Sequence, residues 1–126
     1  MGYEATGQIK NGAHKDKRVT INPLVSCGTC EFCHRGAQIL CLSRQIISMP
    51  PREGAFAEFV KIPFENLIEV PDNVSLDKAA LAEPVACGWS AVRKCSNVLG
   101  ERFNIAKALV IGGGAIGVGA ALSLIA

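Results

Sequence analysis

The apolar positions change their period part-way along the chain. Over the first seventy residues they come in short runs stopped by proline or glycine. Ala5 to Lys10 reads as a short strand, and Asn11-Gly12 is a turn signal. Arg18 to Asn22 alternates around Val19 and Ile21 and predicts a strand stopped by Pro23. Pro50, Pro51 and Gly54 mark a break. Phe56 to Ile62 is rich in aromatic and β-branched residues and predicts a strand ended by Pro63, and Leu67 to Val70 predicts another before Pro71. Strands this close together, each bounded by proline, suit a barrel or a sandwich.

At Ser75 the period becomes helical. Ser75 suits an N-cap and Asp77 the first turn, and Leu76, Ala79 and Ala80 follow helical spacing. Pro84 should interrupt this helix, because it lacks an N–H and disfavours helical geometry at Glu83. Proline is tolerated at a first helical position, and Val85, Trp89 and Val92 recur at i, i+4, i+7. A second helix is therefore expected from Pro84 to about Cys95, with Glu83 at the joint. Ala108 to Ile111 is a buried-strand candidate. Glycines follow it, and then Val118 to Ile125 reads as an apolar helix.

Composition narrows the possibilities. The chain has 126 residues, a net charge of +2 and 6% aromatic residues. That charge is too weak to point to nucleic acid or an anionic membrane surface, and no base-stacking platform is visible. Lys15, Lys17 and Arg18 form one small basic group, expected as a solvated turn. Residues 108 to 126 carry no charge and are long enough to cross a bilayer. Their glycine triplet fits a turn better than a helix interior, so a membrane span is not expected. The N-terminus MGYEATGQIK has no basic region leading into an apolar run. Six cysteines without such a leader suit a reducing compartment, and a cytoplasmic location is expected.

Four of those cysteines fall within CGTCEFCHRGAQILC, spaced Cys27-x2-Cys30-x2-Cys33-x7-Cys41. Thiolates bind zinc tetrahedrally, and paired Cys-x2-Cys lets one short loop supply several ligands. Four thiolates close the shell, so the metal should be structural and should hold a loop that cannot build a core. Four unrelated thiols are the plain alternative. An iron–sulfur cluster is the sharper one, since Cys-x2-Cys-x2-Cys also serves such clusters, although here the fourth cysteine comes seven residues later with no proline after it. His34 is expected to be exposed rather than a ligand.

Gly112-Gly113-Gly114-Ala115-Ile116-Gly117 reads G-x-G-x-x-G. It follows the apolar run Ala108 to Ile111 and opens a helix, which is the context a dinucleotide fingerprint requires. Gly112, Gly114 and Gly117 would allow a tight turn and a close approach of backbone to pyrophosphate. The alternative is a glycine-rich turn without a ligand.

Together these features resemble the zinc-dependent medium-chain dehydrogenase/reductase superfamily. The resemblance includes Gly2-x-Glu4-x2-Gly7, the cysteine lobe at 27–41, GAFAEF at 54–59, Glu83-Pro84 and the fingerprint at 112–117. The Glu-Pro pair is more similar to the sorbitol or threonine dehydrogenase branch than to classical alcohol dehydrogenases. The resemblance implies a mainly β, GroES-like partial barrel with a zinc lobe, then helices and the first β-α unit of a Rossmann fold. It implies a catalytic-domain portion over 1–87 and a linking helix with the start of the nucleotide domain over 88–126. On that reading the chain begins inside the first domain and stops early in the second.

The resemblance also assigns site positions. An upstream cysteine, the family's first catalytic-zinc ligand, is outside this chain. Tyr3 stands where the family has histidine in Gly-His-Glu, and a phenol is a poor ligand at neutral pH. Glu4 matches the next motif residue. Glu83 matches a carboxylate near the catalytic metal in the polyol branch, while Cys87 resembles the cysteine ligand of the classical branch; Glu83 is favoured. The implied function is that of part of an NAD- or NADP-dependent alcohol or polyol dehydrogenase, with structural zinc and without activity or bound nicotinamide of its own. An iron–sulfur redox module and a membrane-anchored zinc-ribbon binding protein are the alternatives from other classes. Self-association through the C-terminal segment or a barrel edge is expected, with no nucleic acid and no membrane as partner.

Overall fold

The computed structural model describes residues 1–126. Its first elements are antiparallel strands β1 (Thr6–Gln8), β2 (Arg18–Ile21) and, much later, β5 (Leu67–Glu69), in sheet order β1-β2-β5. Thr6 pairs with Thr20 and Val19 with Glu69. The turn from β1 to β2 runs through Gly12 at a φ of 91°, a conformation glycine adopts without steric cost. Lys15 is exposed in that turn, but Lys17 and Arg18 are engaged elsewhere. Lys17 Nζ lies 2.6 Å from Glu69 Oε2. The Arg18 guanidinium donates to the carbonyls of Pro71, Asp72 and Val74. Lys15 and Lys17 stay exposed to solvent as expected, whereas Arg18 is half-buried in β2.

A second, two-stranded sheet pairs β3 (Leu24–Val25) with β4 (Gln45–Ile46). It closes the base of the cysteine segment, because its strands flank that segment on either side in sequence. Val19, Ile21, Val25, Ile47 and Val70 form the apolar core around these strands. Asn66 is buried with them. Its side-chain nitrogen donates to the carbonyls of Asn22 (2.8 Å) and Leu24 (2.7 Å), and its own carbonyl accepts from the Asn22 N–H. One amide therefore fixes the passage from the first sheet to the second.

Gly2 and Gly54 meet at a backbone crossing. Ala55 N–H and Phe56 N–H donate to the carbonyls of Gly2 and Met1, and a side chain on Gly2 would lie 2.6 Å from the Phe56 nitrogen. Past that crossing the expected strand from Phe56 to Ile62 does not form. No neighbouring strand continues the ladder, and Phe56 and Phe59 stand 84% and 70% exposed. The peptide bond between Pro50 and Pro51 is cis.

Four helices complete the chain: α1 (Glu31–His34), α2 (Leu76–Ala79), α3 (Ala82–Leu99) and α4 (Ala115–Ile125). The Ser75 hydroxyl accepts the Lys78 N–H as an N-cap of α2. Helix α3 begins at Ala82, two residues before the expected start. Pro84 sits in its first turn, where an N–H would have no intrahelical partner, so proline does not break it. Glu83 consequently lies in that first turn rather than at a joint. The compact units are Met1–Ala80 and Leu81–Ala126, whereas the boundary expected between 87 and 88 falls inside α3.

Within the second unit α3 and α4 touch backbone to backbone. A side chain on Gly88 would collide with Ala120, Gly119 and Ile116 backbone atoms, and one on Gly119 would lie 3.0 Å from the Val85 Cα. The buried line of α3 is thus set by Gly88 and not by the larger Val85 and Trp89, which remain exposed. Trp89 instead carries the Arg93 guanidinium 4.6 Å above its ring. The expected strand at Ala108 to Ile111 is absent: Leu109 and Ile111 are 84% and 89% exposed and no strand pairs with them. An isolated extended segment has no ladder to make it a strand.

Candidate metal centre

The loop between β3 and β4 is built to bring sulfur together. Gly28, at a φ of 74°, turns the chain straight after Cys27. Cys30 caps the single turn of α1, which carries Cys33, and the His34 N–H donates to the Cys30 carbonyl. Gly36 reverses the chain again, and a 3-10 turn at Gln38–Leu40 delivers Cys41. The expected irregular loop therefore contains two short helical turns.

The four sulfurs of Cys27, Cys30, Cys33 and Cys41 lie within 4.8 Å of one another. Cys30 and Cys33 are 3.5 Å apart and Cys27 and Cys33 3.9 Å. A disulfide requires about 2.05 Å, and all six cysteines are free thiols. A tetrahedron with zinc–sulfur bonds of about 2.3 Å has edges of about 3.8 Å, close to both separations. An iron–sulfur cube places its thiolates around several metal atoms and needs a wider ring than this. The donor set fits one zinc ion. His34 is exposed and outside the set.

The sulfurs have unequal surroundings. Cys41 is fully buried and Cys27 is exposed. The Thr29 N–H, then its hydroxyl at 3.7 Å and the Cys30 N–H, hold the Cys27 thiol down to about 6. The Cys33 N–H favours the Cys30 thiolate, but burial and the neighbouring sulfurs outweigh it and push Cys30 up to about 11. At Cys33 burial acts upward, and hydrogen bonds from Cys30, Ser26 and Gly28 more than offset it. Thr29 lies two residues from the cysteine it serves, a proximity visible in sequence, whereas Ser26 reaches Cys33 only through the fold.

The other positions carried by the resemblance fall as follows. Tyr3 is half-buried and Glu4 exposed, both just before β1. Glu83 and Cys87 face each other along α3, with the Cys87 thiol donating to Glu83 Oε1 at 3.5 Å. Burial, then the charge of Glu83, raises the Cys87 thiol. Cys87 is exposed on α3. Gly112 turns at a φ of 103°, Gly114 caps α4, and a side chain on Gly117 would strike the Gly112 carbonyl. The space beside Gly114 is open.

Residues 1–72 match the alcohol dehydrogenase GroES-like domain. The chain belongs to the zinc-dependent medium-chain dehydrogenase/reductase superfamily. Among the relatives in this superfamily, it is 35% identical to a sorbitol dehydrogenase of Bacillus subtilis over 75% of this chain and 28% of that protein. It is 33% identical to an L-idonate 5-dehydrogenase of Vitis vinifera over 93% of this chain and 32% of that protein. An oxidoreductase/dehydrogenase of unknown specificity from Escherichia coli superposes with a TM-score of 0.84 at 26% identity, over 99% of this chain and 37% of that one. The chain thus spans about a third of the length of the relatives it matches. No helix is long and apolar enough to cross a membrane.

Proposed function

We propose that this chain is the zinc-lobe portion of a polyol-type dehydrogenase, with one structural zinc on Cys27, Cys30, Cys33 and Cys41. The observation that carries this reading is the tetrahedral spacing of four free sulfurs. In the whole protein the reaction is hydride exchange between a secondary alcohol and NAD or NADP. Similarity to sorbitol and idonate dehydrogenases supports the substrate class. The turn at Gly112, Gly114 and Gly117 supports a pyrophosphate-binding role, since it leaves backbone N–H groups at the open start of an eleven-residue helix.

The catalytic metal is a different matter. Tyr3 offers a phenol where zinc chemistry calls for an imidazole, and Glu83 is hydrogen-bonded by Cys87 on its own helix. These residues do not make a fitting donor set, and no step is assigned through such a metal. The 126-residue chain is accordingly read as inactive alone. Cobalt(II) substitution tests the structural site. Intense visible bands of tetrahedral tetrathiolate cobalt, lost in Cys30→Ser, are expected. Weak bands of an octahedral oxygen-ligated ion would overturn the reading.

A further inference from the structure

The four thiolates are equivalent as zinc ligands but not as targets. Cys41 has no exposed surface and Cys33 only 9%. Cys30 is half-buried at the start of α1, whereas Cys27 is exposed. Cys27 also lies outside any helix, beside Gly28, around which the space is open. Its sulfur is 3.9 Å from that of Cys33. The closer pair, Cys30 and Cys33, is held across the turn of α1 by the hydrogen bond from His34 N–H to the Cys30 carbonyl.

From this geometry we infer that Cys27 is the oxidation site of the lobe, where a hydroperoxide starts the formation of a Cys27–Cys33 disulfide and the release of zinc. This rests on the reading of the quartet as a zinc site. The Cys27 thiolate attacks the outer peroxide oxygen; the O–O bond breaks, an alcohol or water leaves with one proton, and Cys27 becomes a sulfenic acid. The Cys33 thiolate then attacks the Cys27 sulfur, the S–O bond breaks, and water leaves with a second proton. Two electrons pass from the two thiolates to the peroxide. Closing the pair to about 2.05 Å requires movement on the Cys27 side, where the irregular segment permits it. Only Cys30 and Cys41 then remain as thiolates, and two ligands do not hold the closed four-coordinate site. The outlying thiols Cys87 and Cys95 are exposed but have no second sulfur beside them, so oxidation there yields no intramolecular bridge.

The test uses the full chain with Cys87→Ser and Cys95→Ser, loaded with zinc and with its metal content measured first. Limited hydrogen peroxide is added, released zinc is read with a chromogenic chelator, and thiols are mapped by differential alkylation and peptide mass. The expected result is one zinc lost for each disulfide, with Cys27–Cys33 the main bridge. Adding Cys27→Ser, in chain still carrying zinc, should slow zinc release at least about tenfold; if that variant holds no zinc, the disulfide map alone decides. A dominant Cys30–Cys33 or Cys33–Cys41 bridge, or zinc retained while Cys27 is oxidised, overturns the inference and leaves the zinc site standing. No zinc at the outset overturns the proposed site itself.

Discussion

At residue 66 one amide donates to two carbonyls, those of Asn22 and Leu24, inside the core. Removing it takes that donor from two part-buried carbonyls, at about 0.5–1.5 kcal/mol each. Asn66→Ala is expected to lose about 1–3 kcal/mol in denaturant unfolding of the zinc-loaded chain; a loss under about 0.5 kcal/mol would contradict this role. The cysteines set a pH dependence as well. Zinc needs thiolates and competes with protons for them. With Cys27 lowered to about 6 it is already a thiolate at neutral pH, while Cys30, raised to about 11, must give up its proton to the metal. Retention of zinc should therefore be complete at pH 8 and fall progressively as acid is added, most steeply once the pH drops through about 6 and Cys27 also favours its proton. Zinc content after dialysis across that range measures this, and retention unchanged at pH 4 would refute it.

On the scale of elements, the α3–α4 pair depends on absent side chains. Gly88→Ala puts a methyl into the backbone of α4 at Ala120. Overpacking of this kind costs about 1–3 kcal/mol, and hydrogen exchange should show faster opening of both helices; unchanged protection would remove Gly88 from the account. The sequence made some elements legible and hid others, for physical reasons. β1, β2, β5 and the Ser75 cap were readable because alternation, proline stops and capping act locally. The cysteine quartet was readable because ligand spacing is chemistry written in sequence. Phe56 to Ile62 and Ala108 to Ile111 have strand-like composition, but a strand also requires a neighbour, and composition cannot supply one. Helix α3 starts at Ala82 and not at Pro84, because any site in the first turn tolerates proline and the sequence alone does not say which one it occupies. Asn66 and Gly88 were invisible, since their roles come from residues brought near only by folding.

At the scale of the whole molecule, the second unit leaves Leu109, Ile111 and Ile125 open to solvent. The backbone N–H groups of Lys107 to Ile111 have no acceptor in any ladder, and an unpaired apolar segment is a template for another chain. Self-association is expected in light scattering at high micromolar concentration, and Leu109→Lys with Ile111→Lys should return the chain to a monomer. A monomeric unsubstituted chain would end that expectation. No turnover of sorbitol or idonate with NAD or NADP is expected from the chain alone, and zinc-dependent reduction of nicotinamide would contradict the reading of Tyr3. The most direct measurement is elemental analysis of the purified chain for zinc and iron. One zinc per chain, lost in Cys30→Ser together with order in the 27–41 lobe, is the predicted result. Two zinc ions per chain, mainly iron, or no metal at all would contradict it.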